Sequence, residues 1–236
     1  MLGEFNLVDG LLWYFVFLYS TILHEAGHAW AAFRLGDDTA YRGGQVTIDP
    51  TPHIRREPFG MVVVPILSWF LNHGTWMIGW ASAPYDPLWA QRHPRRAALM
   101  AAAGPCANLA LLLAAALLVR VGMEWNVFHV APSHFSFFHL VNGNGPFWEF
   151  CAAILSVAFA LNLIFLIFNL LPLPPLDGSA LPLLILPAAA AEKYQAFMWN
   201  PSVRIFGLIV AWQIFGNVFP PLARTALQLI FPSLYL

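Results

Sequence analysis

The sequence predicts an all-α polytopic membrane protein with about four to six membrane helices, folded as one domain over residues 1–236. Three observations lead there. Of the 236 residues, 59% are hydrophobic and only 10% charged, against about 25% charged in a soluble domain, so charge cannot cover the outside of the molecule. The apolar residues gather into runs of roughly 20 or more, the length that crosses a bilayer. The basic residues fall mainly between those runs, as they do on the inner side of membrane proteins. The lipid bilayer is therefore the first partner. The same figures exclude disorder, and a net charge of −1 without a basic stripe excludes nucleic acid.

The first run, residues 11–35, should stay in the mature protein. Glu4 and Asp9 replace the basic start of a secretory leader, and no small-residue cleavage site follows. The second, 59–83, is broken at Asn72-His73-Gly74, with basic residues on both flanks. Two short helices or a re-entrant turn keep both flanks on one side, whereas a full span misplaces one. The third run, 97–121, is rich in Ala and Leu and bounded by Arg95, Arg96 and Arg120. The fourth is 148–171. The last, 203–236, is interrupted by Pro220-Pro221, giving one span plus a tail or two short elements. Between them, AYRGGQVTID at 40–49 reads as a turn at Gly43-Gly44 followed by a short alternating strand.

Basic residues assign the sides. Arg34, Arg42, Arg55 and Arg56 follow the first run, Arg92, Arg95 and Arg96 precede the third, and residues 122–147 hold no Lys or Arg. This puts the N-terminus and 122–147 outside, with 36–58, 84–96 and 173–202 inside. Cys106 and Cys151 read as small hydrophobes packed between helices. His53 and His93 read as solvated, and His73 as part of a polar break. His129, His134 and His139, five residues apart, read as an interfacial loop, and the ten tryptophans as interfacial anchors.

Chemistry is concentrated in the first run. His24-Glu25-Ala26-Gly27-His28 is an H-E-x-x-H sequence. On a helix, positions i and i+4 share a face, so both imidazoles reach one zinc ion, and Glu25 is placed to take a proton from an activated water and return it. Ionisable groups inside an apolar span are functional candidates. A third ligand is still required. Asp177, in NLLPLPPLDG at 169–178, is one candidate; read alone, it is equally a solvated aspartate at a span end. His24 lies about 20 Å of helix from Leu11, so the inward-running fourth span delivers Asp177 to the same level.

HEAGH at 24–28, GPCAN at 104–108 and NLLPLPPLDG at 169–178, in that order, resemble the site-2 protease family of intramembrane zinc metalloproteases, in its small branch without PDZ or CBS domains. The resemblance implies one Zn2+ held by His24, His28 and Asp177, with Glu25 as the catalytic residue. It places the family's two asparagines at Asn108 and Asn169, whose amides are expected to hold the substrate main chain. It further implies that 40–49 is the family's membrane-associated β-hairpin, with Gly44, Gln45, Val46 and Thr47 as an edge for an extended substrate. Asn162, seven residues before Asn169, is a candidate cleft residue or polar glue between spans.

The function expected is hydrolysis of peptide bonds in or near transmembrane segments of membrane proteins, with the site toward the cytoplasmic side of the cell membrane. A catalytically silent scaffold binding transmembrane partners is the alternative. A zinc transporter is a third reading, which would need polar sites along several spans.

Overall fold

The computed structural model describes residues 6–130 and 136–232. Four helices are long and apolar enough to cross a membrane: α1 (Leu7–Leu35), α6 (Pro94–Glu124), α7 (Pro146–Asn169) and α9 (Pro201–Ile230). The chain is thus a multi-pass membrane protein. α1, α6 and α7 form the central trio, and α9 leans on the outside of α7.

Each long helix starts and stops for a local reason. Asn6 caps α1 by accepting from the Val8 amide. Gly36, at φ 103°, ends it in the left-handed conformation that glycine adopts without strain. Proline opens α6, α7 and α9, at positions where the amide hydrogen would have no helical partner. The last carbonyl of α9, at Ile230, accepts from Arg120 of α6 at 3.0 Å.

Shorter elements line the ends. α2 (Thr39–Arg42) and α3 (Pro50–Arg56) follow α1. A π-helical turn (Phe59–Val63) leads into α4 (Val64–Leu71), and α5 (Pro87–Arg92) precedes α6. After α7 come a 3-10 turn (Asp177–Leu184) and α8 (Ala188–Met198). An antiparallel pair, β1 (Phe128–His129) and β2 (Asn142–Gly143), closes the α6–α7 connection.

The expected strand at 40–49 does not form. Gly44, at φ 73°, is used as a helix stop: the Gly44 and Gln45 amides donate back to Tyr41 and Ala40. Asp49 then caps α3 by accepting from Thr51, which holds its carboxyl below the ordinary carboxylate range. Between the Gly44 stop and the Asp49 cap only residues 45–48 remain, and they pair with no strand. The small β pair lies instead in the α6–α7 connection.

The 59–83 segment doubles back on itself. Its helical part, Phe59–Leu71, is 13 residues and about 20 Å long, short of the ~30 Å hydrocarbon core. It turns at His73 and Gly74, both at positive φ, and returns as extended chain, so that the Trp80 amide meets the Gly60 carbonyl at 3.1 Å.

Pro220 and Pro221 do not divide α9. They sit on its exposed side, while Phe215, Phe219, Ala223 and Leu227 pack both halves against α6 and α7. Cys106 faces outward from α6 instead of packing between helices. His53, expected in solvent, is 1% exposed and donates from Nε2 to the Thr47 carbonyl, because α3 folds inward over the loop. Three of the tryptophans, Trp13, Trp69 and Trp89, are core residues. His134 lies outside the described residues.

Candidate metal centre

α1 and α6 run antiparallel and meet along two stripes of four-residue spacing. Ser20, His24 and His28 on α1 face Met100, Gly104 and Asn108 on α6, since positions i, i+4 and i+8 share a helix face. Gly27 lets the backbones approach: a Cβ there would sit 2.9 Å from the Ala103 carbonyl oxygen. Gly104 does more. A Cβ at that position would lie 2.6 Å from His28 Cε1, 2.7 Å from His24 Cε1 and closer still to His28 Nε2. The glycine clears the volume that both imidazoles occupy.

The third group arrives from the Pro-rich loop after α7. Leu176 donates to the Leu173 carbonyl and Ser179 to that of Leu176, winding the chain tightly around Asp177. Gly178 is pressed against the Leu170 and Leu171 carbonyls, where no side chain fits. Tyr194 of α8 donates to the Ser179 carbonyl at 2.8 Å, and Gly207 of α9 abuts the Pro174 carbonyl. The loop is therefore braced from three helices.

These elements bring together three ligand atoms. His24 Nε2 and His28 Nε2 are 3.0 Å apart, and Asp177 Oδ2 lies 3.2 and 3.4 Å from them. Tetrahedral ligands at about 2.05 Å from zinc would be about 3.3 Å apart, so the triangle has the right size. It also has the right chemistry. His28 Nδ1 donates to the Met100 carbonyl at 2.8 Å, and His24 Nδ1 meets Asn108 Oδ1 at 2.6 Å. Both Nε2 lone pairs thus face Asp177 Oδ2, which is buried without a hydrogen-bond donor. Three converging acceptors repel one another unless a cation lies between them. The residues fit a divalent metal, and His24, His28 and Asp177 form a candidate metal-ligand group among the described residues. His24, Glu25 and His28 are all buried, at 7%, 5% and 9% exposure.

Glu25 stands beside this group, with no hydrogen-bond or ion-pair partner among the described residues. The asparagines divide. Asn108, fully buried, is spent on His24, Ser20 and Asn162, and is not free to hold a substrate. Asn169 is half-buried at the end of α7, with its side chain unpartnered among the described residues. Asn162 joins α7 to α1 through Ser20. Gly44, Gln45, Val46 and Thr47 form a loop instead of a strand edge; Gln45 is buried with its Nε2 toward the Ser82 carbonyl. Met100, Ser20, Tyr194 and Gly207 support the site from outside the sequence motifs, and Gly104 opens the GPCAN element without having been read as a site residue. For Met100, Gly104 and Ser20, the four-residue spacing from Asn108 and His24 was the available signal.

The chain is similar to known proteins over the same region. Peptidase family M50 matches residues 13–211. The Bacillus subtilis protein named "Putative zinc metalloprotease YwhC" is 30% identical over 188 residues, which is 76% of this chain and 71% of that protein. Two mycobacterial proteins named Rip2 carry the same description. The one from Mycobacterium tuberculosis is 35% identical over 163 residues, and that from Mycolicibacterium smegmatis 31% over 166. These alignments cover 69% and 68% of this chain, but only 52% of either Rip2, so the chain spans about half their length. No solved structure matches. A match over most of the chain, across the helices that carry the candidate ligands, shows that it belongs to peptidase family M50, the site-2 protease family.

Proposed function

We propose that the chain is an intramembrane zinc endopeptidase that hydrolyses peptide bonds in or near transmembrane segments, with one zinc per chain. The observation that carries this reading is the convergence of His24, His28 and Asp177, with Glu25 beside them, on a buried face of a membrane-length helix. Arg34, Arg42, Arg55, Arg56, Arg92, Arg95 and Arg96 all follow the metal centre toward one end of α1, which supports a site near the cytoplasmic face of the cell membrane.

Zinc, when bound, supplies Lewis-acid polarisation of the scissile carbonyl and an acidified water. Glu25 Oε accepts the proton as the water oxygen bonds to the carbonyl carbon, then delivers it to the amine nitrogen as the C–N bond breaks. Burial of Glu25 and of both histidines shields these groups from bulk solvent.

A substrate helix must unwind before its carbonyls are accessible, and each freed backbone group in lipid costs several kcal/mol unless paired. The returning strand at 76–83 supplies partners. Residues 78, 80 and 82 are bound to the protein: Ile78 to Ser68, Trp80 to Gly60, and Ser82 to Gln45 and Arg56. The amides and carbonyls of Met77, Gly79 and Ala81 have no hydrogen-bond partner among the described residues. Ala81 packs on the cluster of Leu18, Ile22 and Met61, of which Ile22 lies three residues before Glu25 and on the same helix face. This stretch, in place of 44–47, is the edge proposed for an extended substrate.

The test is cleavage of single-span substrates in proteoliposomes. Glu25→Gln should lose about 10²–10⁴-fold in rate while keeping its zinc and fold. Full activity in that variant overturns the mechanism. A protein that holds no zinc and cleaves nothing in a Glu25-dependent way is the silent scaffold.

A further inference from the structure

Behind the metal centre, a chain of buried amides crosses three helices, and its polarity can be deduced from its far end. Asn162 of α7 presents one side-chain atom to the Ala158 carbonyl at 2.8 Å and to Ser20 Oγ at 2.9 Å. A backbone carbonyl only accepts, so that atom is Nδ2. Asn162 Oδ1 therefore faces Asn108, and the Asn108 atom 2.8 Å from it must be the donor, Nδ2. A second carbonyl agrees, since the same Asn108 nitrogen points at the Ser20 carbonyl, 3.4 Å away. Asn108 Oδ1 is left facing His24 Nδ1 at 2.6 Å, and can only accept. His24 must then carry its proton on Nδ1 and its lone pair on Nε2, the atom aimed at Asp177 and His28.

We propose that Asn162 is a positioning residue that, through Asn108, holds His24 in the tautomer able to bind metal. Each member can be read only one way because two carbonyls, on α7 and on α1, anchor the direction. Asn162 is 1% exposed, Asn108 fully buried and Ser20 4% exposed, so the amides are shielded from bulk solvent. A tautomer error at His24 would place an N–H where the cation must bind, the cost that a partner on the non-ligating nitrogen prevents. His28 needs no such relay, because its Nδ1 meets the Met100 carbonyl directly.

The inference rests on the metal reading of His24, and zinc affinity tests it. Purified full-length protein is titrated with zinc against a chromophoric chelator, for wild type, Asn108→Leu, Asn162→Leu and the double variant. Asn108→Leu should weaken zinc binding about 10- to 100-fold, the range for outer partners of a ligating histidine. Asn162→Leu should weaken it about 3- to 10-fold, and should add nothing in the Asn108→Leu background, because both act through one bond. Unchanged affinity in Asn162→Leu, or an equal loss with and without Asn108, overturns the proposal. Wild type that takes up no zinc overturns the metal reading instead. Should the leucine variants not fold, ¹⁵N NMR of metal-free wild type decides: His24 protonated on Nδ1 supports the relay, and protonated on Nε2 overturns it.

Discussion

Gly104→Ala adds one methyl group, and the structure says where it lands. The new carbon would sit 2.6 Å from His28 Cε1 and 2.7 Å from His24 Cε1, and closer to His28 Nε2. Non-bonded heavy atoms settle at about 3.5–4.0 Å, so the rings must retreat by about 1 Å. They have little room to do so. His28 is held by the Met100 carbonyl at 2.8 Å, and His24 by Asn108 at 2.6 Å. A retreat of 1 Å far exceeds the ~0.2 Å tolerance of a metal–ligand bond, and zinc affinity should fall at least about 100-fold. Stability moves less. Overpacking costs about 1–3 kcal/mol, partly offset by about 0.5–1 kcal/mol from replacing a helical glycine. The assay is zinc content after dialysis, chelator competition and thermal unfolding in detergent. Gly216→Ala in α9 is the control, since a Cβ there meets nothing within 4 Å; it should leave zinc binding unchanged. Wild-type zinc affinity in Gly104→Ala would refute the α1–α6 geometry.

Asp177→Ala removes the ligand that comes from outside α1, and should leave a folded protein with less than one-tenth of the wild-type zinc content, measured by mass spectrometry of the purified protein. Stripping wild type with a chelator should abolish cleavage, and stoichiometric zinc should restore it; restoration in Asp177→Ala at the same zinc concentration would count against the ligand set. Ala81→Pro deletes one unpaired amide on the returning strand and, at about 0.5–1.5 kcal/mol for a hydrogen bond, should slow cleavage about 2- to 10-fold without changing zinc content. Gly207→Leu should push α9 off the Pro174 carbonyl, lowering the zinc affinity of the Asp177 loop while leaving the α1 histidines in place; unchanged affinity would show that α9 does not brace the loop.

Local features were legible because local chemistry sets them. The i, i+4 spacing of His24 and His28 is a property of one helix, and the basic flanks of 59–83 already favoured a segment that turns back toward its start. The strand expected at 40–49 was misread because Gly43-Gly44 is as good a helix stop as a hairpin turn, and only the α3 cap at Asp49 excludes the strand. Pro220-Pro221 was read as a break because loss of a helical hydrogen bond is visible in sequence, whereas the aromatic packing that holds both halves of α9 is not. Asn108 was expected to hold substrate; its partners lie 54 and 84 residues away in the chain.

By itself, the sequence determined the membrane class, three of the four long helices, the paired histidines with their glutamate and the turn around Asp177. Hydrophobicity and helical period are read residue by residue, with no knowledge of neighbours. Only the tertiary structure decided that three acceptors converge within 3.0–3.4 Å, that Gly104 makes room for them, and that Asn162, Asn108 and His24 join in one buried hydrogen-bonded chain. Each of those depends on distances between helices, and these are set by where glycines let backbones approach and where buried polar groups must find partners.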